Sequence, residues 1–142
     1  DNARTPMQWS AADGAGFTTG QPWIKINENH TRINAESQVN DPNSVFSYYQ
    51  KLIRLRKEYD IVTNGEYKLL DEANPHVYTY LREAGGETLL VLCNFSAQPQ
   101  PAPHSGELVR GRRITRLIGN YEPETDAADT LRPYEARVYL LD

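Results

Sequence analysis

Val77-Tyr78-Thr79-Tyr80-Leu81-Arg82-Glu83-Ala84-Gly85-Gly86-Glu87-Thr88-Leu89-Leu90-Val91-Leu92-Cys93-Asn94-Phe95 is the stretch that decides the fold class. Val77, Thr79 and Leu81 alternate with Tyr78, Tyr80 and Arg82, the period of two that lays one face of a strand on a core and turns the other toward water. Leu89 to Cys93 is apolar at every position, as in a central strand covered on both faces. Between the two runs, Ala84-Gly85-Gly86-Glu87 supplies a hairpin turn. Outward from this pair, Tyr67 to Leu70, Ile114 to Ile118 and Arg137 to Leu141 read as further strands, and Glu107 to Val109 is a candidate for one more. Pro99, Pro101 and Pro103 cannot join a central ladder and mark an exposed connection. Five or more short strands separated by turn signals predict a mainly β fold, an antiparallel β-sandwich with Greek-key connections over residues 63–142.

Upstream the pattern is different. Asp41-Pro42-Asn43-Ser44 stops a loop and offers an N-cap, after which Val45, Phe46, Tyr49, Leu52, Ile53 and Tyr59 fall at helical spacing. The predicted helix covers residues 44–59, with Ser47, Gln50, Lys51, Arg54 and Lys57 on its other face and its cations toward the C-terminal end, where they favour the helix dipole. Residues 1 to about 42 show little hydrophobic periodicity and are broken by Pro6, Gly14, Gly16, Gly20 and Pro22, with turn-forming Asn27, Asn29, Asn34 and Asn40. So long a stretch without elements belongs on the surface of something larger, and it reads as an irregular segment and the least ordered part of the chain. The expected division is therefore a loop and helix over residues 1–62, then a sandwich domain.

The chain has 142 residues, enough for one ordinary domain or a small domain with an appendage. Its net charge is −4, with basic residues dispersed except for Arg110, Arg112 and Arg113, so a nucleic acid partner is not expected. No apolar run approaches the ~18–20 residues of a membrane span. The single cysteine, Cys93, forms no intrachain disulfide and reads as a small core residue, which points to a cytoplasmic location. The chain starts at Asp1 without a Met or a signal-like segment, and its beginning reads as a cut.

The opening residues carry the chemistry. Asp1-Asn2-Ala3-Arg4-Thr5-Pro6-Met7-Gln8-Trp9, followed by Gly16-Phe17-Thr18-Thr19-Gly20-Gln21-Pro22-Trp23-Ile24, sets one guanidinium among polar donors and two tryptophans on a loop. Aromatic faces beside fixed donors suit a sugar, whose axial hydrogens stack on indole while its hydroxyls take polar partners. This segment resembles the one that follows the last barrel strand in the oligo-1,6-glucosidase and α-glucosidase branch of the α-amylase superfamily, glycoside hydrolase family 13. The resemblance continues through Ile33-Asn34-Ala35-Glu36, Tyr49-Gln50-Lys51-Leu52-Ile53-Arg54-Leu55-Arg56-Lys57, Leu90-Val91-Leu92-Cys93-Asn94-Phe95 and Leu131-Arg132-Pro133-Tyr134-Glu135-Ala136, covering nearly the whole chain in order.

What the resemblance implies is the C-terminal part of a retaining, exo-acting α-glucosidase acting on α-1,6 and/or α-1,4 gluco-oligosaccharides. The helix would be the last of a (β/α)8 barrel, and the rest of that barrel would be the partner of this chain. In such enzymes the arginine at the place of Arg4 pairs with an aspartate from an early barrel loop and contacts hydroxyls of the terminal glucose. Asp1 and Asn2 share the motif and are candidates for the pocket entrance. A structural ion pair between loop and barrel is the other reading of Arg4, and both stay open. Trp9 and Trp23 read as packing against neighbours rather than on sugar. In the Leu-Arg-Pro-Tyr-Glu-Ala turn, Pro133 is expected to fix the bend and Tyr134 to fill its corner. His30 stands where these enzymes commonly carry tyrosine, and Ser10-Ala11-Ala12-Asp13 replaces a more acidic pair.

Retaining hydrolysis needs two carboxyls about 5–5.5 Å apart. Asp13, Glu28, Glu36, Asp41, Asp71, Glu72 and the acids of residues 122–129 are scattered and read as surface charges, so no catalytic residue is assigned to this chain. His30, His76 and His104 lie far apart in sequence, indicating neither a metal site nor a dyad, and no cofactor is expected. Two other readings compete. The sandwich could work as an independent sugar-binding module, with Tyr78, Tyr80 and Tyr139 as its aromatic row, or the parent could be a trehalose-6-phosphate hydrolase, dextran glucosidase or sucrose isomerase. Ala3 leans toward the oligoglucosidase branch. The apolar helix face, bereft of a barrel, predicts self-association.

Overall fold

The computed structural model describes residues 4–102, 105–122 and 129–142. In chain order its elements are α1 (Ala35–Val39), α2 (Val45–Glu58), α3 (Ile61–Asn64), β1 (Glu66–Leu70), β2 (Val77–Ala84), β3 (Glu87–Asn94), β4 (Gln100–Pro101), α4 (Ser105–Leu108), β5 (Ile114–Gly119), β6 (Thr130–Leu131) and β7 (Ala136–Leu141). The chain forms two compact units, Asp1–Lys51 and Leu52–Asp142, which divide within α2. No helix among the described residues is long and apolar enough to cross a membrane.

The second unit is the β-sandwich that the alternating runs predict. Its five-stranded sheet is antiparallel throughout, in the order β1-β2-β3-β7-β5, and β4 pairs with β6 in a second, two-stranded sheet. β2 and β3 are joined at Gly85 and Gly86, whose φ angles of 58° and 88° match the two positive values of a type I′ turn, a conformation that costs glycine little. β3 is central because both its faces are apolar. Leu90 and Leu92 join Val77, Leu81, Ala102, Leu131 and Leu141 in the core between the two sheets. Leu89 and Val91 turn the other way, onto Ile61 of α3. The long return is what gives the sandwich its Greek-key character: the chain passes through β4, α4, β5 and β6 before β7 inserts between β3 and β5.

α3 is the cap that the sequence did not announce. The strands begin at Glu66, after Gly65 ends one further helical turn that follows the predicted helix. Arg82 of β2 donates from Nε to the carbonyl of Ile61 at 3.1 Å, and from Nη2 to the carbonyls of Thr63 and Gly65 at 3.0 and 2.9 Å. The Thr63 and Gly65 carbonyls, which the helix end leaves orphaned, are thereby satisfied by a cation, while that of Ile61 also accepts the Gly65 N–H. Gly65 has no room for a side chain, since a Cβ there would stand 2.6 Å from the Ile61 carbonyl oxygen.

Around Glu107, where a strand was a candidate, the chain makes the helical turn α4, with Leu108 and Val109 packed on the core between the sheets. Three residues of alternation are too few to separate a strand from one turn of helix. α2 agrees with the predicted helix to within a residue at each end, and Ser44 is its N-cap, its Oγ accepting from the backbone N–H of Ser47 at 3.1 Å. No residue of α2 is buried, and Val45, Phe46, Tyr49, Leu52 and Ile53 are all exposed.

The turn over residues 132–135 differs from expectation. Glu135 N–H donates to the Arg132 carbonyl at 3.1 Å, with proline second in the turn and a φ of 54° at Tyr134, the pattern of a type II turn. Tyr134 does not fill the corner; it is 61 % exposed. A positive φ at the third position directs its side chain outward, and Glu135 and Arg137 occupy the interior instead. Glu135 accepts from the Arg132 backbone N–H at 2.7 Å and from Arg132 Nη2 at 2.7 Å. Arg137 donates to both oxygens of Glu135 at 2.9 Å and to the Thr130 carbonyl of β6 at 2.8 Å. This buried charge pair ties the small sheet to the large one.

Candidate functional site

The first unit is held by polar groups, which is why hydrophobic periodicity is silent there. The 3₁₀ turn Asp13–Gly16 returns the chain so that Trp9 and Ser10 both donate to the Ala15 carbonyl, at 2.9 and 3.1 Å, over the buried Ala15. A second 3₁₀ turn, Glu28–Thr31, leads to α1, whose cap is Asn34: its Oδ1 accepts from Ser37 N–H at 2.9 Å and its Nδ2 donates to the His30 carbonyl at 2.8 Å. The first N–H groups of α1 donate to the opening segment, Ala35 to the Gln8 carbonyl at 2.8 Å and Glu36 to that of Trp9 at 3.0 Å. Gln8 Nε2 reaches Asn29 Oδ1 at 3.1 Å and the Ile33 carbonyl. Asn27 Nδ2 bridges Thr5 Oγ1 at 3.3 Å and Gln8 Oε1 at 3.2 Å. The polar residues that read as turn formers are thus a lattice that fixes the backbone on which Arg4 stands.

Arg4 is exposed, with its guanidinium carbon 5.9 Å from the centre of the Trp23 ring, at the outer range of a cation–π contact. Trp23 is 81 % exposed and Trp9 about half, so neither indole finds the packing expected of it within this chain. Among its described residues the unit is built from hydrogen bonds and has no apolar layer to receive them. The exposure of Trp23 leaves aromatic area beside the Arg4 guanidinium, the combination that suits a sugar. Asp1 and Asn2 lie outside the described residues. Lys25 and Glu28 pair at 2.7 Å in water, and the hydrogen bond from Lys25 lowers the carboxyl of Glu28. An exposed pair of this kind contributes little to stability.

Among the described residues no three His, Cys, Asp or Glu side chains are grouped so as to hold a metal. The buried carboxylate, Glu135, is committed to two arginines. Burial alone would push its pKa up, but the hydrogen bonds from Arg137 and Arg132 outweigh that and hold it at about 2. An acid catalyst needs the opposite shift, so Glu135 is structural. Cys93 packs on the Leu89 face of the sheet and burial pushes its thiol up, the behaviour of an inert core cysteine.

The aromatic row is not the one the sequence indicated. Tyr139 stands opposite Leu90 and packs on the core between the sheets, whereas Tyr78 and Tyr80 point to the other face. Tyr67 of β1 takes the third place, with its hydroxyl 2.7 Å from that of Tyr78. The signal for it was the pairing of β1 with β2, which alternation within one strand does not supply.

A model of the alpha amylase catalytic domain matches residues 1–65, and one of the maltogenic amylase C-terminal domain matches residues 67–138. The chain belongs to the maltogenic amylase C-terminal domain family, within the α-amylase superfamily. The oligo-1,6-glucosidase of Halalkalibacterium halodurans is 47 % identical over 143 residues, covering 99 % of this chain and 25 % of that protein. Among solved structures, the Bacillus licheniformis trehalose-6-phosphate hydrolase superposes with a TM-score of 0.91 at 41 % identity, covering 99 % of this chain and 26 % of that one. The trehalulose synthase MutB of Pseudomonas mesoacidophila MX-45 has a TM-score of 0.87 at 41 % identity, covering 100 % of this chain and 26 % of the other. The chain spans about a quarter of the length of the curated relatives it matches. The sandwich is therefore the amylase-type C-terminal domain, and the Arg4 loop with α2 falls within the segment matched by the catalytic-domain model.

Proposed function

We propose that this chain is the C-terminal part of a cytoplasmic, retaining, exo-acting α-glucosidase that hydrolyses α-1,6 and/or α-1,4 gluco-oligosaccharides. In this reading residues 1–62 complete the catalytic barrel, residues 63–142 are the sandwich that stabilises it, and the catalytic carboxylates belong to the remainder. Arg4, with Asp1 and Asn2 beside it, supplies the rim of the substrate pocket. The observation that carries the reading is the succession of the two family matches along one chain, with Arg4 on a hydrogen-bonded loop in the first of them. A planar guanidinium holds a carboxylate and a sugar hydroxyl in one fixed orientation, which an ammonium does poorly. The free Cys93 accords with a reducing compartment. Partners are the remainder of the barrel and an α-glucoside. Without that remainder, the exposed face of α2 is free to meet a second copy of the chain.

The test is a chimera in which this chain replaces the matching quarter of the Halalkalibacterium halodurans enzyme. Hydrolysis of isomaltose and of 4-nitrophenyl α-glucoside is expected, and Arg4→Lys should lower kcat/KM by about 1.5–3 kcal/mol, the range for hydrogen bonds to charged groups, with a smaller change in melting temperature. Unchanged kinetics with a lower melting temperature would make Arg4 a structural ion pair. A chimera that cleaves trehalose 6-phosphate in preference to isomaltose would favour the second reading, which rests on the likeness to the phosphotrehalose hydrolase structure.

A further inference from the structure

The face of the five-stranded sheet that carries Leu89 and Val91 is capped at one end by α3, and toward β1 it carries three tyrosines. Tyr67 stands opposite Arg82 and Tyr78 opposite Cys93, so the two flank Tyr80 along the sheet. Their rings lie against it with centroids 5.4 and 5.3 Å away and tilts of 41° and 49°, and their hydroxyls meet at 2.7 Å. The result is an arch of two rings over a third. Tyr80 beneath is half-buried, while Tyr67 and Tyr78 are 47 % and 41 % exposed.

Rings whose only task is packing turn their hydroxyls to backbone or water and cover their faces. Here the polar tips tie the two outer rings to each other and leave aromatic surface in water, at the low entropy cost of a side chain with two torsions. When one hydroxyl donates to the other, one O–H and several lone pairs remain for a ligand. Among the described residues of β1 and β2, the charge on the tyrosine face is Arg82, held to one side by its bonds to backbone carbonyls. Alternation sends Glu66, Lys68 and Glu83 to the opposite face. The hydrogen bond with Tyr78, aided by desolvation, pushes the Tyr67 phenol up to about 12, so this hydroxyl stays un-ionised at physiological pH.

We propose that Tyr67, Tyr78 and Tyr80 form a surface site for a neutral α-gluco-oligosaccharide, a glucose ring stacking on the exposed tyrosine faces while its hydroxyls bond the phenol pair. The choice of ligand class rests on the proposed function, which makes such sugars the molecules this chain meets. The site lies in the sandwich unit and needs no group from the Arg4 loop.

The experiment titrates the 142-residue chain with isomaltotriose and with maltoheptaose, following tyrosine ring signals by NMR. Saturable shifts at Tyr67 and Tyr78 are expected, independent of pH between about 6 and 8. Tyr67→Ala and Tyr78→Ala should each weaken binding about 5- to 10-fold, as loss of one aromatic contact does. Tyr67→Phe, which keeps the ring and breaks the hydroxyl pair, should weaken it about 2- to 3-fold, while Lys68→Ala leaves it unchanged. The unfolding midpoint of each variant separates lost binding from lost fold. No saturation by about 50 mM sugar, or alanine variants of unaltered affinity, would overturn the site. So would a Tyr67→Ala chain that binds sugar normally but no longer supports the chimera's assembly, since the face would then be a contact with the rest of the enzyme. Sugar binding without chimera activity would instead sink the proposed function and leave this site standing.

Discussion

Glu135 carries its charge out of contact with water, so its hydrogen bonds decide what acid does to the fold. Burial raises its pKa and the donors from Arg137 and Arg132 lower it more, to about 2 from an ordinary value of 4.5. A depressed folded pKa gives stability that is complete above the unfolded value and lost as pH falls toward the folded one. Urea unfolding should therefore lose about 3 kcal/mol between pH about 4.5 and about 2 on account of this residue. Glu135→Gln, which removes the buried carboxylate that accepts from Arg137 and Arg132, should cost about 3–5 kcal/mol at pH 7 and flatten that acid limb. Tyr134 gives a prediction of opposite sign. Its backbone is held at positive φ by bonds that any residue would make, its N–H to the Ser96 carbonyl at 3.1 Å and its carbonyl to Asn120 Nδ2 at 2.8 Å. Tyr134→Gly should consequently stabilise the chain by about 0.5–1 kcal/mol, read as a higher urea midpoint. The motif around Pro133 was legible as a turn, but the direction of Tyr134 was not. Nothing local records that Asn94 Nδ2 caps the Arg132 carbonyl at 2.8 Å from thirty-eight residues away.

At the scale of elements, what was legible is what repeats. β2, β3 and α2 were visible because burial recurs at a fixed period, and the Gly85-Gly86 pair marked the turn between the two strands by its backbone freedom. α3 was hidden: four residues hold barely one helical turn, and its stabilising cation sits on β2, outside any window that a periodicity can scan. Arg82→Met keeps the aliphatic stem and removes three charge-assisted bonds, so it should destabilise the sandwich by about 1.5–3 kcal/mol. Amide exchange checks the cause, since protection should fall first at Asn64 and Gly65, whose N–H groups close α3 on Asp60 and Ile61. The loop unit follows a different logic. Its asparagines were legible as turn formers, yet the network of Asn27, Asn29 and Gln8 was not, because such bonds join residues about twenty apart.

For the whole molecule, the exposed side of α2 sets its behaviour in solution. Burying side chains such as Phe46, Leu52 and Ile53 is worth roughly 1.5–3 kcal/mol each, so a chain presenting them is expected to sediment as a dimer or larger at high concentration. Phe46→Glu and Leu52→Glu should return it to a monomer, and a wild-type chain that remains monomeric throughout would sink the expectation. The position of β7 has a further consequence, for the timing of synthesis. Among the described residues β5 pairs with β7 alone, and β3 waits for β7 on one side, so residues 136–141 must emerge from the ribosome before either can complete its ladder. Until then the nascent chain holds a β1-β2-β3 meander open at both β1 and β3, and a β5 segment that still lacks β7. A chain stalled or clipped before Ala136 thus keeps the β3 edge unpaired, whereas one that includes residues 136–141 can close it.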